Sequence, residues 1–211
     1  MAGQVITVAQ QKGGSGKTTL AINLAVQFQR DGHSVALLDT DPQGSMGRWF
    51  MARRARGDQE PPLEFSTASA WGVSYECDKL RRDHDFVIVD TPPKVDSDLR
   101  PALRESDLVI VPVSASHVDV WATESVLDLA RREDCNVMVV INRAKAGTRL
   151  ATEVAEATEA LSDTRAATVI GNRVAYAEAM GIGLGAIEKA KGRWTEEVAS
   201  LAAEVRAALE G

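Results

Sequence analysis

The chain reads as an α/β domain: a doubly wound, mostly parallel sheet with helices on both faces. Three observations carry that reading. Short runs of consecutive apolar residues, at 5–9, 34–38, 86–89, 108–113 and 137–141, recur without polar alternation, as strands buried on both faces do. Stretches of helical periodicity lie between them, which makes successive strands parallel with crossover helices. The length of 211 residues suits one such domain, and no internal repeat or low-complexity linker divides it, so residues 1–211 are expected to form a single domain.

The first strand, Val5 to Ala9, runs into Gln10–Thr19, Q-Q-K-G-G-S-G-K-T-T, and then into a helix with Ala21, Leu24, Ala25 and Phe28 on one face. Strand, glycine-rich loop and helix in that order make a phosphate cradle. Gly13, Gly14 and Gly16 lack a Cβ, so the backbone can take positive φ and turn N–H groups inward around a polyphosphate. The anion then rests at a helix N-terminus, where unpaired N–H groups and the dipole favour negative charge. Lys17 is placed to reach β- and γ-phosphates and the Thr18 hydroxyl to ligate Mg2+. The loop departs from the standard G-x-x-x-x-G-K-T pattern, because no glycine stands at its first position and a second lysine, Lys12, stands at its entrance. That second lysine is surplus to one nucleotide site.

Asp31-Gly32 stops the helix, and the second strand, Ser34 to Leu38, ends in Asp39-Thr40-Asp41-Pro42-Gln43. Two carboxylates at i and i+2 point to the same side of a strand end, where open parallel sheets bind ligands; a turn capped by aspartates is the other reading. Residues 44–82 carry no readable motif. Their basic stretch with aromatics, Arg48 to Arg56, reads as a solvated helix face or a partner-facing one, followed by Pro61-Pro62 and a short strand, Leu63 to Thr67. Phe86–Asp90 is an apolar run closing on an aspartate, the form of a Walker B strand. Asp90 would hold Mg2+ through its water shell, and Thr91-Pro92-Pro93 would begin a loop that senses the γ-phosphate. Val118 to Arg132 is a helix for Ser116 or Asp119 to cap. The strand Val137 to Ile141 ends at Asn142-Arg143, an amide suited to an adenine edge and a guanidinium suited to stack on its face, or an Asx-turn. A helix over 152–161, a last short strand over 168–170 and a helix from Thr195 to Leu209 complete the expected elements.

The motif K-G-G-S-G-K-T-T, together with D-x-D-P-Q and V-I-V-D-T-P-P, resembles the ParA/MinD-type ATPases. The likeness runs from residue 4 to about 190 and includes the segment 174–179 before a glycine-containing loop, Gly181 to Gly185. It implies an ATP- and Mg2+-dependent homodimer with slow, partner-stimulated hydrolysis. Lys12 would then cross the dimer interface to the partner subunit's nucleotide, and Asp41 would position the attacking water. Asp39 would support the magnesium shell with Thr18 and Asp90, and Asn142 would face the base. Gly13, Gly14, Ser15, Gly16, Lys17, Thr18 and Thr19, with Asn142 and Arg143, are the expected nucleotide-binding set. The resemblance further implies partition of a plasmid, chromosome or other cargo, a ParB-like or adaptor partner, and non-specific duplex DNA binding by the ATP dimer.

A net charge of −6 confines any DNA contact to a local patch, for which Arg149, Arg165, Arg173, Lys189, Lys191 and Arg193 are the candidates. Cys77 and Cys135 have no metal-ligand or redox spacing. The N-terminus enters a strand directly, no segment approaches 18 apolar residues, and the last helix lacks a basic face, so a cytoplasmic protein without a membrane role is expected, nucleoid-associated when ATP-bound. An ATP-dependent ligase or iron–sulfur reductase component on the same scaffold, and an ATP-driven filament, are the competing classes.

Overall fold

In the computed structural model, residues 2–57, 62–93, 99–114, 116–145, 147–161 and 164–210 are described. Six strands make one parallel sheet: β1 (Gln4–Val8), β2 (Val35–Asp39), β3 (Glu64–Thr67), β4 (Phe86–Asp90), β5 (Leu108–Ser114) and β6 (Val137–Asn142), in the order β3-β2-β4-β1-β5-β6. Every residue of β2 and β4 is buried, as runs of Val, Leu, Ile and Phe without polar alternation require.

Alternate side chains supply three apolar clusters on the two faces of the sheet. Ile6, Leu37, Ile88, Ile110 and Val140 pack under α1 (Lys17–Arg30) and α9 (Arg193–Glu210). Val5, Leu38 and Val87 face α3 (Gly72–Asp83), and Val109, Val111 and Val139 face α5 (His117–Arg132). α1 is the central helix, with Phe28 fully buried and stacked on Phe86 at 4.4 Å between ring centroids. Such a ring contributes about 1.5–3 kcal/mol by burial alone, so helix and sheet form as one unit. The apolar face of α9, Val198, Leu201, Ala202 and Val205, is likewise taken up by the domain.

β1 lies between β4 and β5, so the chain leaves it for β2 over β4 and returns on the other side. This switch point opens a crevice at the carboxyl ends of the strands. Side chains knit the ends around it. Thr40 donates from its N–H and hydroxyl to the Asp90 carbonyl, at 3.0 and 2.8 Å, and the Thr91 hydroxyl donates to Val8 O at 2.8 Å.

Several elements differ from expectation. The strand expected at 168–170 is reduced to isolated parallel bridges, Arg165 with Val139 and Ala144 with Gly171, although Ile170 N–H still donates to Ile141 O. The region 44–82 holds α2 (Ser45–Arg56) and α3, and α4 (Arg100–Arg104) was not foreseen. The helix expected from Thr152 begins at Arg149 (α6, Arg149–Leu161), while α7 (Val174–Met180) and α8 (Ala186–Lys189) flank the glycine loop. Ser116 occupies the N-cap of α5 without a side-chain capping bond. Pro61 and the continuation of the Thr91-Pro92-Pro93 loop, residues 94–98, lie outside the described residues. Among the described residues no helix is long and apolar enough to cross a membrane.

Candidate functional site

Gly14 and Gly16 take the left-handed conformation, with φ of +81° and +88°, while Gly13 does not need it. At Gly16 space is limiting as well, since a Cβ there would stand 2.6 Å from Asn142 Nδ2. The loop wraps a cleft of about 420 Å3 whose walls include Lys17, Thr18, Asp41, Arg48, Pro93 and Arg143. α1 starts at Lys17 with Gly16 as its N-cap and no side-chain cap bond, so the helix N-terminus opens into the cleft.

Lys17 is buried and donates its ammonium to Gln10 O at 3.0 Å. Burial lowers its pKa, against the pull of Asp90 and Asp41. An anion in the cleft would complete the compensation that these carboxylates begin. The Thr18 hydroxyl donates to Asp90 Oδ2 at 2.6 Å, and Asp90 Oδ1 is buried with no hydrogen-bond partner. Burial pushes the Asp90 carboxyl up to about 7, with Thr18 opposing. An orphaned buried carboxylate oxygen beside a threonine hydroxyl at the mouth of a phosphate loop fits a hard divalent cation. No group of three His, Cys, Asp or Glu side chains among the described residues could chelate a metal unaided, so phosphate oxygens and water would complete its shell.

Asp39 and Asp41 have different tasks. Asp39 accepts Asp41 N–H on Oδ1 at 3.0 Å and Gly47 N–H on Oδ2 at 3.1 Å, so both oxygens fasten the loop to the start of α2; burial raises its pKa, against those backbone bonds. Asp41 accepts Gln43 N–H on Oδ1 at 2.9 Å and lines the cleft, half-exposed.

Asn142 and Arg143 at the end of β6 reach the loop. Asn142 Nδ2 donates to Ser15 O at 2.8 Å, and its Oδ1 accepts Arg143 N–H at 2.9 Å. Arg143, in the left-handed region at φ +55°, donates to Gly14 O. The side-chain bond to the next residue is not the two-residues-on bond of an Asx-turn, and with the loop bond it takes one donor and one acceptor of the amide expected to face a base. A second cleft adjoins the first through Thr19 and Arg143 and is walled by Asn23, Asn172, Arg173 and Tyr176. Glu197 organises that wall by accepting from the Arg173 guanidinium, the Tyr176 hydroxyl and Gly171 N–H.

Lys12 lies against α5, where its ammonium is 2.6 Å from Asp119 Oδ1. Four of the six candidate DNA-contacting cations carry carboxylates of their own: Arg149 on Glu153, Arg165 on Glu159, Arg173 on Glu197 and Lys189 on Glu178. Lys191 and Arg193 are exposed and have no ion-pair partner among the described residues. Sequence reading missed Arg48, which the helical spacing of α2 carries into the cleft, and Glu197, whose only signal was its place in the first turn of the last helix.

With this geometry in view, the comparisons with known proteins are specific. Residues 6–186 match the CobQ/CobB/MinD/ParA nucleotide binding domain. The chain is 32% identical to maintenance of carboxysome distribution protein A of Halothiobacillus neapolitanus, over 59% of this chain and 56% of that one. It is 33% identical to the chromosome-partitioning ATPase Soj of Thermus thermophilus, over 59% of each. It thus spans under three fifths of the length of these relatives. The structure of the septum site-determining protein MinD of Pyrococcus horikoshii, complexed with Mg-ADP, superposes with a TM-score of 0.78 at 18% identity, over 96% of this chain and 95% of that one. The glycine loop, the Thr18–Asp90 pair and the match over residues 6–186 lead to one conclusion: the chain belongs to the CobQ/CobB/MinD/ParA nucleotide-binding domain family.

Proposed function

We propose that this protein is an ATP-driven dimerisation switch that positions DNA or another cargo. The observation that carries the reading is Lys12, a loop lysine whose ammonium is held outside the phosphate cleft on Asp119. A cation beside a phosphate site but turned away from it supports a role at a second copy's nucleotide. Lys17 and the loop N–H groups would hold the β- and γ-phosphates, and Thr18 and Asp90 would hold Mg2+, which neutralises charge on the phosphate oxygens. Asp41 would orient the attacking water, with Asp39 fixing the loop that carries it.

In-trans cations of this kind are worth roughly 10³–10⁵ in rate. Turnover should therefore be slow in the isolated chain and faster when a ParB-like or adaptor protein stabilises the pair. Non-specific duplex DNA binding by the dimer, and association with the nucleoid, rest on the relatives' roles in partitioning and distribution, as their names give them. The thiols lend nothing to an iron–sulfur reading: Cys77 is fully buried in the core, and Cys135 donates to Leu103 O near the opposite end of the sheet. The test is ATP hydrolysis as a function of protein concentration. Specific activity should rise with concentration, and a specific activity constant over two decades of dilution would contradict the reading.

A further inference from the structure

The contact between Lys12 and Asp119 is asymmetric: the lysine side chain is 39% exposed, whereas the aspartate side chain is 5% exposed. Asp119 is built into its place. It lies in the first turn of α5, where a carboxylate is favoured by the dipole, and its N–H donates to Ser116 O at 3.0 Å. Its carbonyl accepts the Thr123 hydroxyl at 2.8 Å; that oxygen accepts Gln10 Nε2 at 3.1 Å, and Gln10 O accepts the Lys17 ammonium at 3.0 Å. Hydrogen bonds through Gln10 and Thr123 thus tie the Lys17 ammonium to the backbone of Asp119, and the ion pair, whose geometry leaves Asp119 Oδ1 without a hydrogen-bond partner, ties the Asp119 side chain to Lys12. Among the described residues Lys12 is the one cation paired with Asp119.

The surroundings of the pair identify what would disturb it. Val118 and Trp121, one before and two after Asp119, are 54% and 66% exposed and lie at i, i+3 on one side of α5. A second copy receiving Lys12 at its own phosphates would approach beside this apolar rim, and its nucleotide would supply the negative charge that competes with Asp119 for the ammonium. Moving Lys12 then leaves a buried carboxylate without its counter-charge, which opposes the move.

We propose that Asp119 is a positioning residue: it holds Lys12 within its own subunit and so sets the threshold at which nucleotide-bound chains pair. The proposal rests on the ATP-driven pairing described above. It differs from a purely structural role for Asp119, because loss of the carboxylate strengthens association instead of weakening it.

The experiment is sedimentation equilibrium of the full chain in Mg2+ and a non-hydrolysable ATP analogue, for wild type, Asp119→Asn, Asp119→Glu and each change in a Lys12→Ala background. Asp119→Asn keeps the shape and removes the charge, and it should tighten the dimer about tenfold, or about 1.4 kcal/mol. Asp119→Glu should stay near wild type. With Lys12→Ala the Asn change should have no effect, since there is nothing left to release. A weaker or unchanged dimer in Asp119→Asn overturns the latch, as does an equal effect of Asp119→Asn in the Lys12→Ala background. If wild type and Asp119→Asn both remain monomeric with the analogue, the pairing reading falls with it, whereas a wild-type dimer indifferent to Asp119 sinks the latch alone. Should Asp119→Asn fail to fold, the Lys12 side-chain 15N signal of the wild-type chain decides. It should shift between the nucleotide-free and analogue-bound forms, and an unchanged shift overturns the proposal.

Discussion

The cations around the phosphate loop and those on the far surface of the chain are handled in opposite ways. Lys17 is buried, held by a backbone carbonyl and depressed in pKa by burial. Arg149 and Lys189 stand at the surface, each on a nearby glutamate. The first arrangement fixes a charge at one point and leaves its compensation to an incoming anion. The second is soft: exposed ion pairs contribute about 0–1 kcal/mol, so a phosphate backbone could replace the carboxylate at little cost. A nucleotide site is therefore visible in one chain's geometry, whereas the proposed DNA-binding face, built from exchangeable pairs, would not be.

The largest effects should come from the loop lysines, which ought to fail differently. Lys17→Ala removes the buried phosphate contact and should abolish measurable ATP binding. Lys12→Ala should keep nucleotide affinity in a titration with a fluorescent analogue while turnover falls roughly 10³–10⁵-fold. Equal loss of affinity in both would erase the distinction between a cis and a trans lysine. Asp41→Ala comes next: turnover should drop about 10²–10⁴-fold with the phosphate cradle intact, so the protein accumulates as a nucleotide-bound dimer on sizing chromatography. Normal turnover in that variant would remove Asp41 from the chemistry.

On the surface side the expected changes are smaller and depend on salt. If the ATP dimer doubles three phosphate contacts, log affinity against log salt should steepen by roughly 2.7 units relative to the ADP state, at about 0.9 per contact. Substituting Arg173, Lys189, Lys191 and Arg193 together by alanine should flatten it. Because Arg173 is bonded to Glu197 in the wall of the second cleft, part of its effect should appear in nucleotide affinity, which a separate titration would resolve. A slope indifferent to nucleotide would show that these pairs are not exchanged for phosphate.

The smallest effect concerns Asp85, an exposed carboxylate held below its usual pKa by hydrogen bonds from the Ser34 backbone and hydroxyl. A depressed folded-state pKa contributes stability that is present above the unfolded value, about 3.9, and is lost as pH falls through the folded one. Ser34→Ala removes one of the two bonds to the ionised carboxylate, so it should lower the melting temperature at pH 7 and lose that effect as pH falls below about 4. A loss that persists undiminished at acid pH would point to packing instead.

The parts legible in the sequence were those with local causes. Phe86–Asp90 formed a strand over the expected residues because five consecutive apolar or closing positions admit little else in a parallel sheet. The loop was legible because glycine, lysine and threonine at fixed spacing encode its backbone. What escaped needed long-range contacts. That the Asn142 amide also bonds Ser15, 127 residues away, had no signal in the sequence. α3 was hidden because its apolar face is sparse, with Val73, Cys77 and Leu80 as its buried residues. Asp119 was read as a helix cap because no sequence rule brings Lys12 to it.

The central claim, that Lys12 acts on a partner's nucleotide, is tested most directly by mixing two inactive proteins. Lys12→Ala binds ATP but lacks the crossing lysine; Asp41→Ala binds ATP and supplies that lysine but scarcely turns over its own nucleotide. The account predicts that the mixture regains ATP hydrolysis and that the regained rate rises with the concentration of either partner. A mixture no more active than the sum of its components would place Lys12 in its own subunit's site and contradict the account.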